Sequence, residues 1–492
     1  MTSVATERTG TKALRAIVAA CCLVIVAGCT NSPDFKQVSL PLPKPAPTQP
    51  AQTAAQREHA RILGSYGGQY DDARIQALVE KTIGRLVAAS ERPDLTYKVT
   101  ILNSPAINAF ALPNGQLYVT RGLIALANDE AELASVLAHE MGHVSARHAA
   151  IREEQARQAA VVAHVVSDVL SDPNAGALAL AKSKLTMASF SRAQEFEADA
   201  IGVGISARAG FDPYGASRFL TDMQRNADLK AGGAPNNDTR MLDFISSHPA
   251  TPDRVKNAIL NARQFGGPGA SGERDRALYL AALDGMVFGE DPSEGFARGR
   301  RFVHPKLGFT FTAPAGFTLD NTAEAVLGLK DGGGQALRLD VVSVPPEQTL
   351  GAYLTSGWME NVDKSSVQET AINGFPAATA TAAGEGWSFR LYAIRYGSDV
   401  YRFIFAARER SAQSDHAFRE AVTTFRRMSL KEASQIKPMR LAIVTAGPRD
   451  TVESMAKRMA VPDHALETFR VLNGLSHEDR LKAGDRVKIV VE

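Results

Sequence analysis

Ile75, Leu78, Val79, Ile83 and Leu86 recur at steps of three and four, a spacing that gathers apolar side chains on one face of an α-helix. A second run of the same period, Leu133, Val136, Leu137, Met141 and Val144, follows Asn128, Asp129, Glu130 and Glu132, which supply a cap and an acidic first turn. This predicts a buried amphipathic helix. Residues 191–200, Ser-Arg-Ala-Gln-Glu-Phe-Glu-Ala-Asp-Ala, have helical spacing and an acidic bias. Between the first two helices, residues 106–111 and 116–120 flank Pro113-Asn114-Gly115 and read as two short strands about a turn. Residues 159–170 are apolar but shorter than the roughly 20 residues a membrane span needs, so a cavity wall or lid is expected there.

From Phe302 the apolar period shortens to two. Residues 309–312, 337–342, 389–394 and 401–405 alternate as strands, with helices expected near 349–362 and 414–426. This predicts an α+β domain over 299–430, faintly similar to PsbP-like folds and without a catalytic constellation, so its expected role is docking or packing. Residues 436–492 read as strand, two helices, strand. Gly266-Gly267-Pro268-Gly269 and Asp291-Pro292 break the chain on either side of a helix expected within 278–287, making 266–298 a linker.

A chain of 492 residues exceeds what one core ordinarily holds, in keeping with several domains. At the start, Arg8, Lys12 and Arg15 precede an apolar run from 16 to 26, the layout of a secretion signal too short to span a bilayer. The run ends Val26-Ala27-Gly28-Cys29, which resembles the lipobox where bacterial lipoproteins are cleaved and acylated. Residues 1–28 are then a signal peptide, Cys29 the lipidated residue, and the proline-rich stretch 29–57 an extended spacer. Thr30, in place of an aspartate, favours the outer membrane. All three cysteines, Cys21, Cys22 and Cys29, lie in this region, so the remaining chain forms no internal disulfide. Lys and Arg total 55 against 53 acidic residues, and residues 1–28 hold three of the former and one of the latter. The rest is neutral, which argues against a nucleic-acid partner.

The sharpest chemical signal is His139-Glu140-Met141-Gly142-His143, inside the second predicted helix. Positions four apart share a face, so His139 and His143 can hold one metal while Glu140 reaches a bound water. Catalytic zinc takes three protein ligands and leaves a fourth position for water. His148 is one residue short of the position used by motifs with three histidines, where Ala149 stands, and Ala146 replaces the glycine that would bend the chain. Glu195 is the better third ligand; Asp199, one turn on, can accept a hydrogen bond from a ligand histidine, while Glu197 faces nearly opposite. The expectation is one Zn²⁺ per chain on His139, His143 and Glu195, with Glu140 as general base.

These motifs, with Asn108-Ala109-Phe110-Ala111-Leu112-Pro113-Asn114-Gly115 and Tyr118-Val119-Thr120-Arg121-Gly122-Leu123 before them, resemble the HtpX and CAAX-prenyl-endopeptidase family of zinc metallopeptidases, in its periplasmic, BepA-type branch. The resemblance covers about residues 60–260 and implies a mainly α, gluzincin-type fold over 58–265, with the same ligands and base. A strand beside the metal can pair with an extended substrate, which makes Asn108 and Phe110 candidate substrate contacts. His248, in Ser247-His248-Pro249, recurs in this family after the ligand helix and is a candidate fourth ligand, latency device or substrate contact. Residues 436–492 resemble the LysM module, many members of which bind peptidoglycan glycan. The chain is therefore expected to be lipid-anchored in the bacterial periplasm, hydrolysing peptide bonds of misfolded or stalled envelope proteins as an endopeptidase. The competing expectation is a non-catalytic outer-membrane-protein assembly factor that uses the zinc fold for binding.

Overall fold

A computed structural model describes residues 53–170, 190–233, 248, 251–267, 272–330, 332–384, 386–409, 411–461 and 463–492. The expected signal peptide, Cys29 and nearly all of the spacer lie outside the described residues.

The first helices are α1 (Ala54–Ser65) and α2 (Ala73–Ala89), and the Asp72 carboxylate caps α2 by accepting the Arg74 and Ile75 N–H groups. Ile75, Leu78, Val79, Ile83 and Leu86 are buried, so the apolar stripe read in the sequence is the face that packs. Strands β1 (Lys98–Leu102), β2 (Ala109–Ala111) and β3 (Gln116–Thr120) form a sheet in the order β1-β3-β2, with β1 parallel and β2 antiparallel to β3. Thus β2 is an edge. Its hairpin turn needs Gly115 at φ +82°, where a Cβ would also meet the Thr96 carbonyl oxygen at 2.4 Å.

After α3 (Arg121–Leu126) comes α4 (Glu130–Ser145), capped by Asp129 through the Glu132 N–H. Every residue from Glu130 to His143 is buried, so α4 is enclosed on all sides where its pattern suggested one apolar face. The polar half is covered by partners: Glu130 meets Thr82 and Lys81, and Asp129 and Glu132 meet Arg218. Next come α5 (His148–Leu170), α6 (Arg192–Arg208) with a Ser191/Gln194 capping box, α7 (Gly215–Gly233), α8 (Pro252–Arg263) and α9 (Arg276–Leu283). Two glycines let α4 and α6 approach closely: a Cβ on Gly202 would lie 2.8 Å from the His139 nitrogen, and one on Gly142 3.0 Å from the Ala198 carbonyl oxygen.

The β-rich part begins with β4 (Phe296–Arg298). It contains a seven-stranded sheet running from Phe317 to Ala407 and a four-stranded sheet that includes Arg301–His304 (β5) and Phe309–Thr312 (β6). All pairs are antiparallel, and Phe302, Phe309, Phe311, Phe403, Phe405, Phe418 and Phe425 fill the core between sheet and helix Ala412–Thr423. The helix expected over 349–362 is cut to Leu350–Leu354, because Gly357 takes φ +96° and a strand starts at Val362.

The last segment does run strand, helix, helix, strand: Arg440–Thr445, Val452–Ala456, Ala465–Leu472 and Arg486–Val491, with Arg440 opposite Val491. It does not stand apart as a separate unit. Leu441, Met455, Phe469, Val487 and Ile489 belong to the same apolar core as Ile75, Leu133 and Leu137. The stretch after α9 also pairs with its first strand, Leu441 N–H donating to the Met286 carbonyl at 2.9 Å and Phe288 N–H to Met439 at 2.8 Å.

Candidate metal centre

Helix α4 carries His139 and His143 one turn apart, α6 brings Glu195 across the glycine contact, and His248 enters just before α8. One ligand atom from each of the four lies within 4.8 Å of every other, and all four residues are buried. His139 Nε2 and His143 Nε2 are 3.0 Å apart; Glu195 oxygens lie 3.6 and 3.5 Å from them. His248 Nδ1 sits 2.9 Å from Glu195 Oε1 and 3.4 Å from His139 Nε2. A tetrahedral ion with bonds near 2.1 Å has edges of about 3.4 Å. The donor set and its spacing therefore fit a small divalent cation.

The outer nitrogens of both helix histidines are held. His139 Nδ1 is 2.9 Å from Asp199 Oδ1, the second contact that spacing suggested for Asp199. His143 Nδ1 is 2.8 Å from His148 Nδ1, and His148 Nε2 is 3.3 Å from Glu197. His148 lies outside the four-atom cluster and touches the site through another residue. Sequence reading missed that role, for which the unusual third histidine was the available signal.

It also missed Arg254. Its Nε and Nη2 donate to the two Asp199 oxygens at 2.8 and 2.6 Å, and Nη1 lies 2.7 Å from Glu195 Oε2. A lone arginine in the first turn of a helix carries no periodic signal. Phe190 was likewise unread: its ring stacks on His143 at 4.0 Å between centroids, with the Arg152 guanidinium on its face at 4.3 Å.

Burial governs the charges. It pushes His143 down to about 3 and His248 down to about 4, so both imidazoles are neutral and able to ligate. For Glu195 burial opposes ionisation, but hydrogen bonds with His143 and His248 outweigh it and hold the carboxylate low. Glu140 is raised well above the usual range, first by burial and then by the Glu195 charge. It accepts a hydrogen bond from the Ala111 N–H, and its Oε1 has no hydrogen-bond partner among the described residues.

The side chains of Asn108 and Phe110, the candidate substrate contacts, meet other side chains of the fold. The Asn108 amide donates to Tyr66 Oη at 2.8 Å, and Phe110 packs with Tyr66 and Tyr118. Bonds from Thr120 N–H to Asn108 and from Leu112 N–H to Gln116 set the alternation of the hairpin. Ala109 and Ala111 therefore turn their backbone groups away from β3, in keeping with the Ala111 bond to Glu140.

A histidine pair on one helix, a carboxylate from a second and a buried glutamate beside them define a metallopeptidase domain. Residues 71–260 match Peptidase family M48. The chain is 29% identical over 231 residues to the mitochondrial metalloendopeptidase OMA1 of Schizosaccharomyces pombe, covering 46% of this chain and 63% of that one. It is 29% identical over 211 residues to the beta-barrel assembly-enhancing protease of Escherichia coli K12 (41% and 42%). With the protein of that name from Yersinia pestis it shares 32% over 222 residues (43% and 44%). The chain thus spans less than two thirds of the length of these relatives. Among solved structures, cyanobacterial PsbP (CyanoP) from Synechocystis sp. PCC 6803 aligns with a TM-score of 0.22 at 13% identity, over 28% of this chain and 98% of that one.

Proposed function

We propose that this chain is a zinc-dependent endopeptidase of the bacterial envelope that hydrolyses peptide bonds of misfolded or stalled envelope proteins. The observation that carries the reading is the buried cluster of His139, His143, Glu195 and His248, their ligand atoms within 4.8 Å of one another, with Glu140 beside it. Zinc bound there supplies Lewis acidity and lowers the pKa of a bound water. Glu140, held by the Ala111 N–H, takes the proton of the attacking water and returns it to the departing amine. The position of β2 at the edge of its sheet, beside the helix that carries Glu140, supports pairing with an extended substrate through backbone groups, giving broad sequence tolerance. In Glu140→Gln we expect metal content unchanged and casein cleavage reduced by about 10²–10⁴-fold. Full cleavage by that variant would overturn the reading.

His248 stands at the vertex that an activating water needs, which supports a latent resting state. His248→Ala should raise basal casein cleavage; unchanged basal activity would remove latency through this residue. The same vertex favours a second reading, a factor that binds outer-membrane proteins with the site closed. A Glu140→Gln variant as active as wild type in an assembly assay would favour it.

The lipobox-like Cys29 and Thr30 support anchoring at the outer membrane, facing the periplasm. The βααβ order of residues 440–491 supports a LysM-like module, with peptidoglycan as its candidate partner.

A further inference from the structure

Away from the metal centre, a cavity of about 140 Å³ opens between α3, α7 and the terminal helix Ala465–Leu472, with Ile107, Leu126, Leu229, Phe288, Val471 and Leu472 on its walls. An engineered apolar cavity of about this size accepts benzene. Arg121 also lines it, with its side chain only 1% exposed. Its Nε donates to Asn103 Oδ1 at 2.8 Å, Nη1 to the Val287 carbonyl at 3.1 Å and Nη2 to the Gly289 carbonyl at 2.6 Å. All three acceptors are neutral, and a guanidinium carries five N–H groups. Among the described residues no carboxylate forms an ion pair with Arg121; Asp291 acts on it only from farther away. Asn226, from α7, also lines the cavity, its Nδ2 buried without a hydrogen-bond partner among the described residues, and Lys230 adds positive charge.

A buried cation facing neutral acceptors, next to an orphaned amide donor, calls for an anion. We propose that this cavity binds a small monocarboxylate with an apolar group of about benzene size, its carboxylate on Arg121 and Asn226 and its tail among Leu126, Leu229 and Leu472. Burial weakens the hold of Arg121 on its own proton, and a carboxylate partner reverses that. The ligand joins α3 to the terminal helix, so it ties the last segment to the metallopeptidase domain whether or not the metal centre cleaves peptides.

The test is calorimetric titration of the full chain with benzoate, hexanoate and the neutral isostere benzamide. Saturable binding of the carboxylates, at least about tenfold tighter for benzoate than for benzamide, is expected from a charge-assisted contact. Arg121→Gln should remove that preference, and Leu229→Trp, which fills the cavity and leaves the arginine in place, should abolish binding. Equal affinity for benzoate and benzamide would overturn the proposal. So would no saturation by either carboxylate up to about 10 mM, or undiminished binding in a folded Leu229→Trp variant.

Discussion

Arg254 joins the two carboxylates behind the metal site, donating two hydrogen bonds to Asp199 and forming an ion pair with Glu195. Without it, two buried carboxylates lose their main cationic partner, and the outer nitrogen of His139 loses a fixed acceptor. Arg254→Met should therefore weaken divalent-metal affinity by about 10–100-fold, the usual effect of removing such support, in a competition titration against a chromogenic chelator. An unchanged affinity would mean that the ligands hold themselves in place. Arg254 also lies six residues after His248, so the histidine at the fourth vertex and the group that positions Glu195 are close neighbours in the sequence. His139, Glu140, His143 and Glu195 were readable because helical spacing decides which side chains share a face. His148 and Arg254 were not, because only packing brings them to the site.

Among the elements, β2 shows how a three-residue strand can matter more for its backbone than for its side chains. Its hairpin was plain from Pro113-Asn114-Gly115, whereas the direction of Asn108 and Phe110 depended on Tyr66, just past the end of α1. A second turn, after Arg301–His304, carries a pH signature. His304 is buried and its Nδ1 accepts the Leu307 N–H at 3.3 Å, while Gly308 closes the turn at φ +72°. Burial, helped by Lys306, pushes His304 down to about 4 from the usual 6.5. Between these values the unfolded chain binds the extra proton and the folded one does not. The stability contribution is whole above pH 6.5 and is lost as pH falls towards 4. His304→Asn should flatten the urea-denaturation midpoint across that window relative to wild type; parallel profiles for the two proteins would refute the assignment.

At the scale of the whole molecule, the terminal segment is built into the metallopeptidase domain by a buried cation. Lys488 is fully buried, and its Nζ donates to the carbonyls of Ala125, Leu126 and Ala127 at 2.7, 3.1 and 2.8 Å. Those carbonyls end α3, two residues before the cap of α4, so the last strand braces the start of the helix that carries both histidines. Lys488→Met keeps the length of the side chain and strips the donors. It should lower unfolding stability by about 1–3 kcal/mol, the cost of orphaned buried carbonyls, seen as an earlier thermal transition for the full chain; an unshifted transition would show that the bonds are replaceable.

Local pattern alone determined that α2, α4 and α6 are helices, that the β-rich part begins near residue 300, and that His139, Glu140 and His143 share one helix. Each of these follows from periodicity over a few turns, where backbone geometry dictates which side chains are neighbours. Tertiary structure decided that His248 meets His139 across 109 positions of chain, that Arg254 braces the carboxylates, and that residues 440–491 share the first domain's core. Such contacts are chosen by the joint burial of distant apolar faces and by the need of buried charges for partners, and neither leaves a mark at short range in the sequence.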